Sequence, residues 1–147
     1  MLGQPKFRKE LMAEFSKFCG EVKSDIDAVV GVATGGIPYA SWVAEALELP
    51  LGYVRPQPKD HGKGNRVEGG LEKGTRVLLI EDMISTGGSS LQVVKSLKAE
   101  GYEVPHTRAL MTYFHKYVAD KFAAEGSQMK AMLEFSSFLD EPTVRAT

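Results

Sequence analysis

The chain has one cysteine, Cys19, among 147 residues, which excludes an internal disulfide and any disulfide-stapled scaffold. That lone thiol falls on the apolar side of a helical stretch and reads as a buried hydrophobe. The three histidines, His61, His106 and His115, show no metal-ligand spacing with it, which argues against a zinc site. Charge of one sign is also lacking: 18 lysines and arginines face 19 aspartates and glutamates, for a formal net charge of −1. Such a balance gives no global electrostatic reason to bind nucleic acid, and neither a helix-turn-helix nor a basic face is visible. No apolar run is long enough to cross a bilayer and no signal-peptide pattern is present, so the expectation is a soluble cytoplasmic protein. Internal repeats, linkers and low-complexity segments are missing as well. Residues 1–147 are therefore expected to form a single domain with a genuine core.

What is present is periodicity. Phe7, Leu11, Phe15, Phe18, Cys19 and Val22 recur at helical spacing after Pro5, a residue suited to a helix's first turn. Ala28–Ala33 reads as a short apolar strand, Tyr39–Leu47 as a helix and Leu51–Arg55 as a second strand. Val77–Ile80 and Ser90–Ala99 repeat that alternation, with Gly101 ending the helix. A strand near Thr107–Met111, a helix near Lys116–Ala124, a strand near Met129–Leu133 and a short C-terminal turn of helix complete the pattern. Strands alternating with helices at this spacing predict an α/β fold, a parallel sheet with flanking helices. Trp42 is expected in core or dimer packing, and His106 and His115 on the surface or in loops.

The most informative stretch is residues 77–89, V-L-L-I-E-D-M-I-S-T-G-G-S. Its apolar start has the length of a strand buried on both faces. Glu81 and Asp82 are expected at the strand's carboxyl end, the edge where open α/β sheets bind ligands. Adjacent carboxylates there can accept hydrogen bonds from vicinal sugar hydroxyls, directly or through a bound Mg²⁺. Ser85, Thr86, Gly87, Gly88 and Ser89 lead into a helix, so their amides are expected to face outward and bind a phosphate. The string is not a Walker A loop, and Gly69 to Thr75, the nearest match, lacks the required Gly-Lys-Ser/Thr order.

Two further loops follow strands and are expected to face the same edge. Thr34, Gly35 and Gly36 precede a helix entry, where glycines allow close contact with a pyrophosphate. Arg55–Gly70 is long for a compact α/β connection, polar and glycine-rich, and carries Arg55, Lys59, His61, Lys63 and Arg66. Those cations suit a flexible flap, about residues 56–70, closing over an anionic ligand.

The 77–89 string resembles the phosphoribosyl pyrophosphate (PRPP) signature of the type I phosphoribosyltransferases, a family with a Rossmann-like core. Lys59-Asp60-His61-Gly62, preceded by Arg55, is similar to the catalytic loop of the orotate phosphoribosyltransferases. With G-V-A-T-G-G-I-P, the resemblance covers most of the chain from about Asp27 to Ala99. It implies that Arg55, Lys59 and His61 contact pyrophosphate oxygens and that Glu81 and Asp82 hold the ribose hydroxyls, with Lys59, His61 and Asp82 as catalytic residues. It further implies that Ser85 to Ser89 wrap the 5′-phosphate, while Ser85 and Tyr113 lie near the base. Mg²⁺ would arrive with PRPP near Glu81 and Asp82 rather than on direct protein ligands, and a homodimer with shared sites is implied. The implied reaction turns orotate and PRPP into orotidine 5′-monophosphate and pyrophosphate.

Three departures bear on the transfer. Pro56 stands where a second lysine is usual, and Gly35 where some members place a lysine. The chain also begins at Met1, almost directly at the first helix, where members normally carry a segment that helps hold the base. The alternatives are a PRPP-binding regulatory or non-catalytic homologue and a transferase for another nucleobase.

Overall fold

A computed structural model describes residues 2–55 and 66–135. The first helix, α1 (Pro5–Gly20), opens on Pro5, whose fixed φ suits a first turn and whose missing N–H costs nothing there. It buries Met12, Phe15, Ser16 and Cys19. Phe7, expected on that face, is 44 % exposed, because it precedes the stretch from Leu11 to Cys19 that enters the core. Beyond a single 3-10 turn at Lys23–Asp25 come β1 (Ala28–Val32), α2 (Gly36–Leu47), β2 (Leu51–Val54) and β3 (Val67–Glu68). β4 (Arg76–Ile84), α3 (Gly88–Ala99), β5 (Glu103–Thr112), α4 (His115–Ala124) and β6 (Gln128–Glu134) follow. The C-terminal turn of helix lies outside the described residues.

Among the described residues, six strands form one sheet in the order β3-β2-β1-β4-β5-β6. Five run parallel, as expected of the helical crossovers. β3 lies in the last part of the stretch expected to be a flexible flap, and it turns back antiparallel along β2 through Tyr53↔Glu68 and Val54↔Val67. Two residues are too few to show alternation in a sequence, and they leave only a short sheet edge.

The helices cover both faces. Val77 and Leu79 of β4 join one core cluster with Val93, Leu97 and Phe122 of α3 and α4. Leu78 and Ile80 point the other way, toward Phe15, Tyr39 and Val43 of α1 and α2. Alternation along the buried part of β4 thus accounts for the unbroken apolar run from Val77 to Ile80. Trp42 sits edge-on to Tyr39 at 6.4 Å, beneath the Arg8 guanidinium.

His106 is not in a loop but in β5, its side chain only 12 % exposed. Its Nε2 lies 2.9 Å from Asp25 Oδ2 and its Nδ1 3.1 Å from Gln128 Oε1. Neighbouring Arg108, fully buried, donates to the carbonyl and side-chain oxygens of Gln128 and lies over the Phe18 ring. His115 begins α4. No helix among the described residues is long and apolar enough to cross a membrane.

Candidate active site

The chain leaves β1 toward β2 on one side, whereas β4, β5 and β6 extend to the other. Strand order therefore reverses between β1 and β4, and in open α/β sheets ligands bind in the crevice at such a switch point. A cleft of about 420 Å³ opens there, lined by Ala33, Gly35, Arg66, Glu81, Asp82 and Ser89 among others.

Glu81 and Asp82 do not end their strand, as the sequence suggested. β1 stops at Val32, but β4 continues to Ile84 because β5 keeps pairing with it through Met83↔Met111 and Ile84↔Thr112. The Thr112 hydroxyl donates to the Ile84 carbonyl at 2.7 Å, securing this overhang. The acidic pair is thus built into rigid strand, at the level where β1 gives way to its loop.

As strand neighbours the two carboxylates serve opposite faces. Glu81 faces α3 and accepts a 2.6 Å hydrogen bond from the Ser90 hydroxyl. Asp82 faces the loop after β1 and accepts from the Met83 amide at 2.8 Å. Among the described residues neither has an ion-pair partner. Burial pushes the Glu81 carboxyl up to about 7, and the Asp82 charge adds to that, against the Ser90 hydrogen bond. A cation or a hydrogen-bond donor on a ligand would relieve that strain.

Glycines let the surrounding backbone come close. A Cβ on Gly35 would lie 2.4 Å from Asp82 Oδ2, so a side chain there requires the carboxylate to move. A Cβ on Gly36 would meet the Ile80 carbonyl oxygen at 2.5 Å, a backbone atom with nowhere to go. The Thr34 carbonyl accepts from the Ile37 amide at 3.3 Å, joining the loop to the first turn of α2. The loop after β1 therefore rests directly on β4.

Gly87 precedes α3 with φ of 85°, a left-handed turn that glycine adopts freely. No side chain caps α3, so its first amides are open to an anion. Ser85, Thr86, Gly88 and Ser89 are exposed around this start, while Gly87 is buried beneath it against Val118.

Arg55 follows β2 at the same sheet edge and is ion-paired with Glu68. Tyr113 follows β5, packs on Phe114 and Phe135, and is not among the residues lining the cleft. Lys59 and His61 lie outside the described residues. Gln92 and Ser90 were not expected at the site, and Arg66 was expected only as one of the flap's cations. Arg66 lines the cleft while its guanidinium donates to Ser96 Oγ at 3.0 Å and its amide meets Glu100, both on the α3 side. The sequence shows it only as one cation of a basic stretch.

A switch-point cleft that sets an acidic pair beside an uncapped helix start suits a ligand carrying both hydroxyls and a phosphate. The sequence profile of the phosphoribosyl transferase domain matches residues 2–135, and the chain belongs to that family. Within it, the resemblance to the orotate phosphoribosyltransferases holds across the fold. The chain is 47 % identical over 112 residues to the orotate phosphoribosyltransferase of Listeria monocytogenes serovar 1/2a, covering 76 % of this chain and 54 % of that one. It is 35 % identical over 139 residues to the Lactococcus lactis subsp. cremoris enzyme, covering 95 % of this chain and 66 % of that one. The crystal structure of orotate phosphoribosyltransferase from Aeropyrum pernix superposes with a TM-score of 0.81 at 31 % identity, over 97 % of this chain and 80 % of that one. The chain spans a little over half the length of the Listeria relative.

Proposed function

We propose that residues 1–147 act as one phosphoribosyltransferase domain that transfers phosphoribosyl from PRPP to orotate, giving orotidine 5′-monophosphate and pyrophosphate. The observation that carries this reading is one crevice holding Glu81, Asp82 and the open start of α3, in a chain 47 % identical to an orotate phosphoribosyltransferase. Glu81 and Asp82 accept from the ribose hydroxyls, and Ser85, Thr86, Gly87, Gly88 and Ser89 receive the 5′-phosphate. Thr34, Gly35 and Gly36 approach the pyrophosphate, whose charge Arg55, Lys59 and His61 stabilise as it departs. Arg55 exchanges Glu68 for that anion. Ser85 and Tyr113 stand nearest the base.

In the reaction the C1–oxygen bond breaks with its electron pair leaving on pyrophosphate, and a bond forms from C1 to the pyrimidine nitrogen. C1 gains oxocarbenium character on the way, as in glycoside chemistry. Orotate is already an anion at neutral pH, so no dedicated base is needed. The protein's part is orientation by the acidic pair and electrostatic stabilisation of the leaving group.

The donor set suits Mg²⁺ brought by the substrate. Glu81 with Asp82 offers hard oxygens that would complete the shell of an ion carried in by PRPP. When bound, the ion neutralises charge on the pyrophosphate oxygens. The working form is a cytoplasmic homodimer with shared sites.

The test is ultraviolet-monitored orotate consumption by the purified chain with PRPP and Mg²⁺, repeated with competing free bases. PRPP-dependent loss of orotate supports the assignment. Turnover of another base in preference to orotate redirects it to a different transferase. PRPP binding without turnover of any base identifies a PRPP-sensing homologue.

A further inference from the structure

We propose that Ser90 is a positioning residue that ties the carboxylate reading the sugar hydroxyls to the helix receiving the sugar's phosphate. The proposal rests on the sugar-phosphate reading of the cleft and adds a residue that the signature string did not single out.

Ser90 belongs to the first turn of α3 and is 3 % exposed. A buried serine in a helix needs a partner, because its hydroxyl otherwise competes with the backbone or goes unsatisfied. Its side-chain partner is not a helix carbonyl but Glu81 Oε2, 2.6 Å away and on the central strand. That length falls in the short range of hydroxyl-to-carboxylate bonds, which are stronger than neutral ones. Glu81 is itself 8 % exposed, so the bond is shielded from water.

The contrast with Asp82 isolates the role. Asp82 takes its hydrogen bond from the next residue of its own strand, Met83. Of the two carboxylates, Glu81 is the one bonded to α3. A sugar phosphate presents hydroxyls and phosphate at a spacing fixed by its ring. Strand and helix must match that spacing, and the Ser90–Glu81 bond holds it at the point where the two elements meet. Ser90 also keeps the carboxylate turned to α3, beside the cleft that Glu81 lines.

Calorimetric titration of the full chain with ribose 5-phosphate and with inorganic phosphate tests this. The wild type is expected to bind ribose 5-phosphate more tightly than phosphate, the difference reporting the sugar contacts. Ser90→Ala is expected to lose about tenfold in ribose 5-phosphate affinity, because the carboxylate is no longer held in position, with phosphate affinity unchanged. Ser90→Thr, which keeps the hydroxyl, should retain the sugar increment. A Ser90→Ala protein that keeps the wild-type increment overturns the proposal, as does equal weakening of both ligands, the mark of a merely loosened helix. A wild type that binds both ligands equally overturns the sugar-phosphate reading itself, and the role of Ser90 with it.

Discussion

The two edges of the sheet treat their acids in opposite ways. At the edge where the strands begin, Asp27 accepts two side-chain bonds from Arg76, Nη2 to Oδ1 at 2.9 Å and Nε to Oδ2 at 3.1 Å, and Asp25 meets His106. The Arg76 guanidinium holds the Asp27 carboxyl down at about 2. A cavity of about 310 Å³ lies near this edge, but its cations are committed: Arg76 to Asp27, and Lys98 to the Glu125 carbonyl at 2.6 Å. At the edge where the strands end, Glu81 and Asp82 stand side by side with no ion-pair partner among the described residues, and Glu81 is raised to about 7. Charges satisfied within the fold hold elements together. Charges left against their like, in a cleft, are satisfied by what binds.

The comparison predicts unequal responses to similar changes. Asp82→Ala should lower kcat/KM for PRPP by about 10²–10³-fold, as removal of a preorganised transition-state contact does, whereas Asp27→Ala should stay within about twofold. Steady-state orotate consumption measures both, and parity between them would break the distinction.

Glycine changes sharpen it next. Gly36→Ala forces a Cβ against the Ile80 carbonyl and should destabilise by about 1–3 kcal/mol in denaturant unfolding. Nothing lies within 4 Å of a Cβ on Gly88, so Gly88→Ala should move stability by no more than about 0.5 kcal/mol while weakening phosphate binding.

Titration gives smaller effects of opposite sign. Glu81 holds its proton more firmly folded than unfolded, so its contribution to stability is full below its ordinary 4.5 and is lost as pH rises through about 7. PRPP affinity should instead fall as pH drops below about 7, because the protonated carboxyl is the poorer acceptor. Calorimetry across that range should show both trends, and Glu81→Gln should flatten them. The least effect belongs to Asp27, whose contribution is present above 3.8 and is lost as pH falls through about 2. Acid unfolding of Asp27→Asn should lack that component, and the pair's exposure keeps it small.

Much of this arrangement was legible from the residues. Val77–Ile80, Glu81 and Asp82, and the glycines at 35, 36 and 87 are local signals, each suited to a strand, an acceptor pair or close backbone approach. What escaped depends on partners distant in sequence. β4 outruns its apolar stretch because Met83 and Ile84 pair with Met111 and Thr112. β5 begins at Glu103, earlier than expected, since Pro105 and its polar neighbours hide a strand that shifts register opposite Arg76 and Leu78. Arg108, which nothing in the sequence singles out, is buried by Gln128 and Phe18. Ser90 looks like any helix-start serine until Glu81 is placed beside it.

The central strand also sets a hierarchy of motion. Val77, Leu78, Leu79 and Ile80 are wholly buried, and β4 has a neighbour on each side. In deuterium exchange their amides should be among the slowest in the molecule, opening only when the whole fold opens. Glu81 and Asp82 continue that segment where β1 has ended, held by β5 on one side and anchored to the slowest part of the sheet. If the cleft takes the proposed substrate, a change of base specificity is expected to arise in the loops around this strand rather than in the strand itself.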